Sequence, residues 1–123
     1  ATDVALARRQ KAPRSARANL RKAEAALKES AAPAAVFAPL AAAASDYFGH
    51  RLNLPPGAVE APLILEKLRA AKADEASLAK WQEFFALSDQ IRYASSSELT
   101  RADLESWIAA VASLLRKAER VKL

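Results

Sequence analysis

The chain's only histidine, His50, stands close to Ser45 and Asp46. These are the residue types of a general base, a nucleophile and an orienting acid. In such a triad the imidazole must lie between the other two groups. Five residues of separation place Ser45 and His50 on different parts of a helix surface. We therefore predict no catalytic group here. We interpret His50 as a polar residue near a helix end, where a partly positive ring suits the C-terminal dipole.

Other kinds of reactive site find little support in the residue types. The chain has no cysteine and one histidine, which excludes thiolate zinc sites and cysteine nucleophiles. Gly49 and Gly57 are the only glycines, so no glycine-rich phosphate loop is present. The adjacent acids Asp74 and Glu75 suit the start of a helix. We predict no enzyme activity, no metal site and no cofactor.

Four aromatic residues fall at helical spacing and have two interpretations. They could line a small-molecule pocket or pack in a hydrophobic core, and core packing is the commoner use of such a stripe. We predict a core, with one of the two tryptophans at its centre because it lies in the middle of an apolar row. The four residues are Trp81, Phe84, Phe85 and, at the predicted centre, Trp107.

The basic residues are concentrated at the start of the chain. Residues 1–28 hold eight basic and two acidic residues, whereas residues 29–123 hold eleven basic and twelve acidic ones. Such a segment suits an anionic membrane surface, nucleic acid or an acidic partner, and the simplest alternative is a solvated tail. The candidate contacts to an anionic surface are Arg8, Arg9, Lys11, Arg14, Arg17, Arg21 and Lys22.

The elements that position these residues are predicted to be helices. A chain of 123 residues is one domain by length, and its abundant alanine with few glycines favours helix. We predict an all-α helical bundle, with residues 1–14 as a mobile basic arm broken by a proline and residues 15–123 as a single domain. The predicted main helices cover about 15–29, 33–52, 74–94 and 100–122, with a short helix at about 61–71 and a serine loop at 95–98.

The last predicted helix carries the clearest pattern. Large apolar residues recur at steps of three and four from Leu104 to Leu115, which places them on one helix face. Thr100 followed by Asp103 is a capping-box pattern at its start. The second helix is predicted to begin before Pro39, and Asp74 is predicted to cap the fourth.

From Phe37 onward the chain contains a helix end followed by a proline-glycine connection, two further helix segments and a closing amphipathic helix. The segments that carry this pattern are 47–58 (YFGHRLNLPPGA), 62–69 (PLILEKLR), 74–76 (DEA), 89–94 (DQIRYA) and 98–115. Through these residues the chain resembles the C-terminal cytoplasmic domain of the BatD family, membrane proteins of bacterial aerotolerance operons. Ala61 departs from the pattern, because a capping serine or threonine would be more usual there.

The resemblance implies a non-enzymatic scaffold domain on the cytoplasmic face of the bacterial inner membrane. It implies protein partners of two kinds, von Willebrand A-domain proteins and a MoxR-type AAA+ ATPase, in oxygen or stress tolerance. It carries over no catalytic or ligand residue. The alternative is a basic helical domain that binds nucleic acid. Against it, no aromatic residue is interleaved with the basic residues from Arg8 to Lys28.

Overall fold

The computed structural model describes residues 2–93 and 98–123. These residues form five α-helices and their connections, and no strand occurs in either range. The all-α prediction is confirmed. The helices are α1 (Thr2–Glu29), α2 (Pro33–Arg51), α3 (Ala61–Ala70), α4 (Glu75–Tyr93) and α5 (Arg101–Glu119).

Helices α2 to α5 begin within a residue of their predicted starts, because local signals mark those starts. Thr100 Oγ1 accepts a hydrogen bond from the Asp103 N–H at 3.1 Å, and Asp103 Oδ2 accepts one from the Thr100 N–H at 2.9 Å. Asp74 caps α4 by accepting from the Ser77 N–H at 2.7 Å. Helix α2 begins before Pro39, as predicted. Residue 94 and the serines at 95–97 lie outside the described residues.

The predicted arm over residues 1–14 is wrong in its secondary structure. Helix α1 runs without a break through Pro13 and includes this segment from Thr2 onward. Ala12 and Ala16 are buried where α1 packs against α2 and α5. Alanine is the best helix former and permits close approach between helices, so packing offsets the hydrogen bond that Pro13 removes.

The core is an aromatic cluster contributed by α2, α4 and α5. Trp107 is 7% exposed and meets the Phe37 ring at a centroid distance of 6.2 Å. Phe37 in turn stacks on Phe84 at 5.6 Å. The prediction that Trp107 is a core residue is confirmed. Trp81 is also buried, whereas Phe85 is only partly buried and faces a surface groove.

A buried arginine joins the C-terminal ends of α2 and α5. Arg51 Nη1 donates to the Ala118 carbonyl at 2.9 Å and to Tyr47 Oη at 2.8 Å, and its Nη2 donates to the Val121 carbonyl. The last carbonyls of a helix have no partner within that helix. The Val121 N–H already donates to the Ala118 carbonyl at 3.2 Å, and Arg51 adds a side-chain donor there and at the Val121 carbonyl just beyond α5. Tyr47 Oη donates onward to Glu119 Oε2.

Candidate interaction surface

The exposed side of α1 carries a row of arginines. Arg14, Arg17 and Arg21 follow one another at steps of three and four, which places them on one helix face. All three are exposed, and none forms an ion pair within residues 2–93 and 98–123. We call these three residues the basic face of α1. All three lie on α1: Arg17 and Arg21 fall in the helix predicted at about 15–29, and Arg14 falls in the segment predicted as an arm.

One of the predicted surface contacts has a different role. Arg8 is half-buried and donates from Nε to His50 Nδ1 at 3.3 Å and from Nη1 to Asn53 Oδ1 at 3.1 Å. It therefore ties the first half of α1 to the end of α2. The remaining predicted contacts are all exposed along α1: Arg9, Lys11, Arg14, Arg17, Arg21 and Lys22.

Between α1 and α5 lies a cleft of about 220 Å³, which we call the α1–α5 cleft. Its floor and walls are mainly apolar. The lining residues are Pro13, Ala16, Arg17 and Leu20 from α1, Tyr47 from α2, and Ala112, Leu115, Arg116 and Glu119 from α5. Sequence reasoning did not find this cleft, because it forms between helices that are far apart in the chain.

The polar groups of the α1–α5 cleft differ in whether they already have a partner within the described residues. Arg17 and Arg116 are exposed and form no ion pair within the described residues. Glu119 accepts a hydrogen bond from Tyr47 Oη, and its Oε2 lies 3.4 Å from Arg51 Nη1. The buried guanidinium group of Arg51 therefore compensates the negative charge of Glu119. Burial and the hydrogen bond to Glu119 raise the pKa of Tyr47. The cleft thus offers two free guanidinium groups beside an apolar wall.

The three residues that suggested a triad lie in one place but are not arranged for catalysis. Ser45, Asp46 and His50 all line a second cleft of about 260 Å³. Asp46 Oδ2 accepts from Asn19 Nδ2 at 3.0 Å, and His50 Nδ1 accepts from Arg8. The imidazole is therefore oriented by a cation instead of an acid, which is the reverse of what a general base requires.

The prediction of a partly positive His50 ring is wrong. Burial, followed by the positive charges of Arg8 and Lys11, lowers the pKa of His50 below 6.5, and only Asp46 opposes them. Because Nδ1 accepts a hydrogen bond, the ring is neutral in this arrangement. Sequence reasoning missed this pairing, since it placed Arg8 in a mobile arm.

A third depression, of about 370 Å³, lies between α2, α3 and α4. Small residues of α2 form its floor, among them Ala38 and Ala41, and Phe85 forms part of its wall. Asp89 and Arg92 stand together at its α4 side, so its rim carries both signs of charge. This depression therefore gives no preference for an acidic or a basic ligand.

Within the described residues, no group of three or more histidine, cysteine, aspartate or glutamate side chains could hold a metal ion. None of the helices in residues 2–93 and 98–123 is long and apolar enough to cross a membrane. No family model, no curated protein and no solved structure matches the chain. The likeness to the BatD family therefore depends on the residues quoted for it and on nothing in these comparisons.

Proposed function

We propose that this chain is a non-enzymatic protein–protein interaction domain that binds an acidic partner through α1. The observation that carries the proposal is the basic face of α1, formed by Arg14, Arg17 and Arg21. These cations are fixed on a helix whose other side is built into the core, and they have no ion-pair partner in the described part of the chain. Such a one-sided charge distribution steers and orients an acidic partner.

The partners and location follow the resemblance and are part of the proposal. We place the domain on the cytoplasmic face of a bacterial inner membrane, where the basic residues of α1 would also be attracted to anionic lipid. The partner classes are the von Willebrand A-domain proteins and the MoxR-type AAA+ ATPase of an aerotolerance or stress operon.

Nucleic-acid binding is the second candidate, and the same basic face favours it. Proteins that bind single strands combine cations with aromatic side chains on which bases stack. On this molecule the strongly exposed aromatic residue is Tyr93, at 79% exposure, and it lies at the end of α4 rather than on α1. The basic face therefore offers charge without a stacking platform.

A photo-crosslinking amino acid placed on α1 tests the proposal in the native cell. We would place it at Arg21 and, as the matched control, at the exposed Lys67 of α3. Illumination should yield adducts from position 21 that protease removes and nuclease leaves intact, and few from position 67. Adducts that nuclease removes, or equal labelling from both positions, would contradict the proposal.

A further inference from the structure

The α1–α5 cleft combines two features that together indicate what it binds. Its volume of about 220 Å³ lies below the range of about 300–1,000 Å³ typical of small-molecule pockets. Its lining is mainly apolar, with Leu20, Ala112 and Leu115 among the residues that form it. A cleft of this size and character suits one large apolar side chain, as in the anchor pockets at protein interfaces.

The charges at the rim of the cleft indicate the charge of the partner that it binds. Arg17 stands on the α1 side and Arg116 on the α5 side, and both are exposed and without ion pairs in the described residues. Arg14 and Arg21 extend the positive surface along α1. Glu119 is the acid in the lining, and Arg51 compensates it from the interior. An apolar ligand with carboxylates beside it therefore matches both the apolar lining of the cleft and the positive charge of its rim.

We propose that the α1–α5 cleft docks an acidic amphipathic helix of a partner protein, which inserts one large apolar side chain between Arg17 and Arg116. This inference rests on the proposed function and names the chemistry of the partner. A helix presents residues three and four positions apart on one face, so a single apolar anchor can have glutamates on both sides of it. The anchor fills the cleft, and the glutamates pair with the two arginines.

Three stapled helical peptides test the proposal by fluorescence anisotropy with the whole chain. The first carries one phenylalanine, with a glutamate three residues before it and another four residues after it. The second replaces the phenylalanine with alanine, and the third replaces both glutamates with lysine. We expect the first to bind about tenfold or more tighter than the second, because the apolar side chain leaves water. The third should bind more weakly still, because it meets like charge.

Variants of the chain test whether the peptides bind at the α1–α5 cleft. Arg17→Glu and Arg116→Glu should each weaken binding of the first peptide about tenfold, whereas Arg69→Glu on α3 makes the same charge change away from the cleft and should leave it unchanged. Ala112→Phe should occupy the cleft with its own ring and abolish the preference for phenylalanine over alanine. The two arginine variants keep the test valid if Ala112→Phe fails to fold, since both arginines are exposed.

Four results would overturn the inference. Equal binding of the phenylalanine and alanine peptides would show that charge acts without the cleft. Binding of the lysine peptide as tight as that of the first would remove the role of the arginines. Absence of binding up to about 1 mM peptide would show that no such dock exists. Retention on anionic vesicles that both Arg17→Glu and Ala112→Phe abolish would assign the cleft to lipid. None of these results decides the proposed function, which the photo-crosslinking from position 21 tests separately.

Discussion

At the scale of single residues, the buried Arg51 links the ends of two helices through hydrogen bonds to the Tyr47 hydroxyl and to the Ala118 and Val121 carbonyls. It is 8% exposed, yet its guanidinium group has partners on both α2 and α5. The planar fork of arginine places donors on two separate nitrogens, Nη1 for the Ala118 carbonyl and the Tyr47 hydroxyl and Nη2 for the Val121 carbonyl, whereas a lysine ammonium has a single nitrogen. The network makes the two helix ends depend on one another.

Arg51→Ala should lower the free energy of unfolding by about 2–4 kcal/mol, because it removes three hydrogen bonds of a buried guanidinium group and leaves the space of its side chain unfilled. Arg51→Lys should recover only part of this loss. The measurement is chemical denaturation followed by circular dichroism. Arg120→Ala removes an exposed cation at the same end of α5, and it should change stability by no more than about 0.5 kcal/mol. A loss below about 1 kcal/mol for Arg51→Ala would show that water replaces the network at little cost.

His50 makes folding depend on pH in a defined direction. Its pKa is lowered in the folded state by burial and by the charges of Arg8 and Lys11, from an ordinary value of 6.5. The unfolded chain therefore binds the proton more readily. The associated stability is fully present above pH 6.5 and is lost as the pH falls from there through the folded-state pKa.

The test compares the wild-type chain with His50→Gln, which keeps a neutral polar side chain. The difference between their free energies of unfolding should be constant at all pH values above about 7. Below that range the wild-type chain should lose stability relative to the variant. A difference that stays constant down to about pH 4.5, or a change of the opposite sign, would show that burial and the charges of Arg8 and Lys11 do not lower the pKa of His50 in solution.

At the scale of helices, large apolar residues and caps could be predicted, but small-residue packing could not. The row that includes Trp107 and the cap at Thr100 located α5 from sequence, because bulky side chains and capping oxygens leave distinct patterns. In the first half of α1, most described side chains are exposed and Ala12 is buried. Its short side chain leaves little periodic signal among the surrounding arginines. Pro13 then suggested a break that tertiary packing overrides.

The helical structure of residues 9–14 leads to a measurable prediction. Their amide hydrogens should be protected from exchange, apart from Pro13, which has none. Deleting residues 1–14 should cost about 2 kcal/mol of stability, because it exposes the surface that Ala12 covers and removes the two hydrogen bonds of Arg8. Deleting only residues 1–7 keeps both groups and serves as the control. Exchange in this segment as fast as in an unfolded peptide would restore the prediction of a mobile arm.

The end of α1 carries conformational strain that one substitution should relieve. Ala31 has φ of 52°, in the left-handed region where a Cβ atom is unfavourable. Ala31→Gly should therefore stabilise the chain by about 1 kcal/mol. Ala109→Gly places the same change at an exposed position in the middle of α5, and it should destabilise by about 0.5–1 kcal/mol. Melting temperatures that shift in the same direction for both variants would contradict this account.

At the scale of the whole molecule, the charge asymmetry could be predicted from sequence and its geometry could not. Helix α1 holds eight basic and three acidic residues, which accounts for all of the net charge of +5. The positions of the charged residues in the sequence were enough to locate this excess of basic residues at the start of the chain. Recognising that Arg17 shares a cleft with Arg116 requires the packing of α1 against α5, which no local pattern in either helix reveals. The His50 and Arg51 pairings escaped prediction for the same reason.

This asymmetry predicts how the molecule responds to anionic surfaces in general. Reversing Arg14, Arg17 and Arg21 to glutamate should leave the fold intact, because all three are exposed and without ion pairs in the described residues. It should abolish retention on vesicles that contain anionic lipid, since each basic residue near such a surface contributes about 1 kcal/mol. Reversing three other exposed cations makes the same change in net charge and should largely preserve retention. This control set is Lys67, Arg69 and Arg101.

Nucleic acid should respond to the same face, but without specificity. Duplex DNA should bind the wild-type chain no tighter than about 1 μM at physiological salt, and the affinity should fall steeply as salt rises, because phosphate contacts release counterions. The reversal of the three α1 arginines should remove this binding, whereas the control set should retain most of it. Titrations with several unrelated duplexes and single strands provide the measurement. Nanomolar binding to one sequence that persists at physiological salt would overturn the acidic-partner proposal, because charge alone gives neither that affinity nor that selectivity.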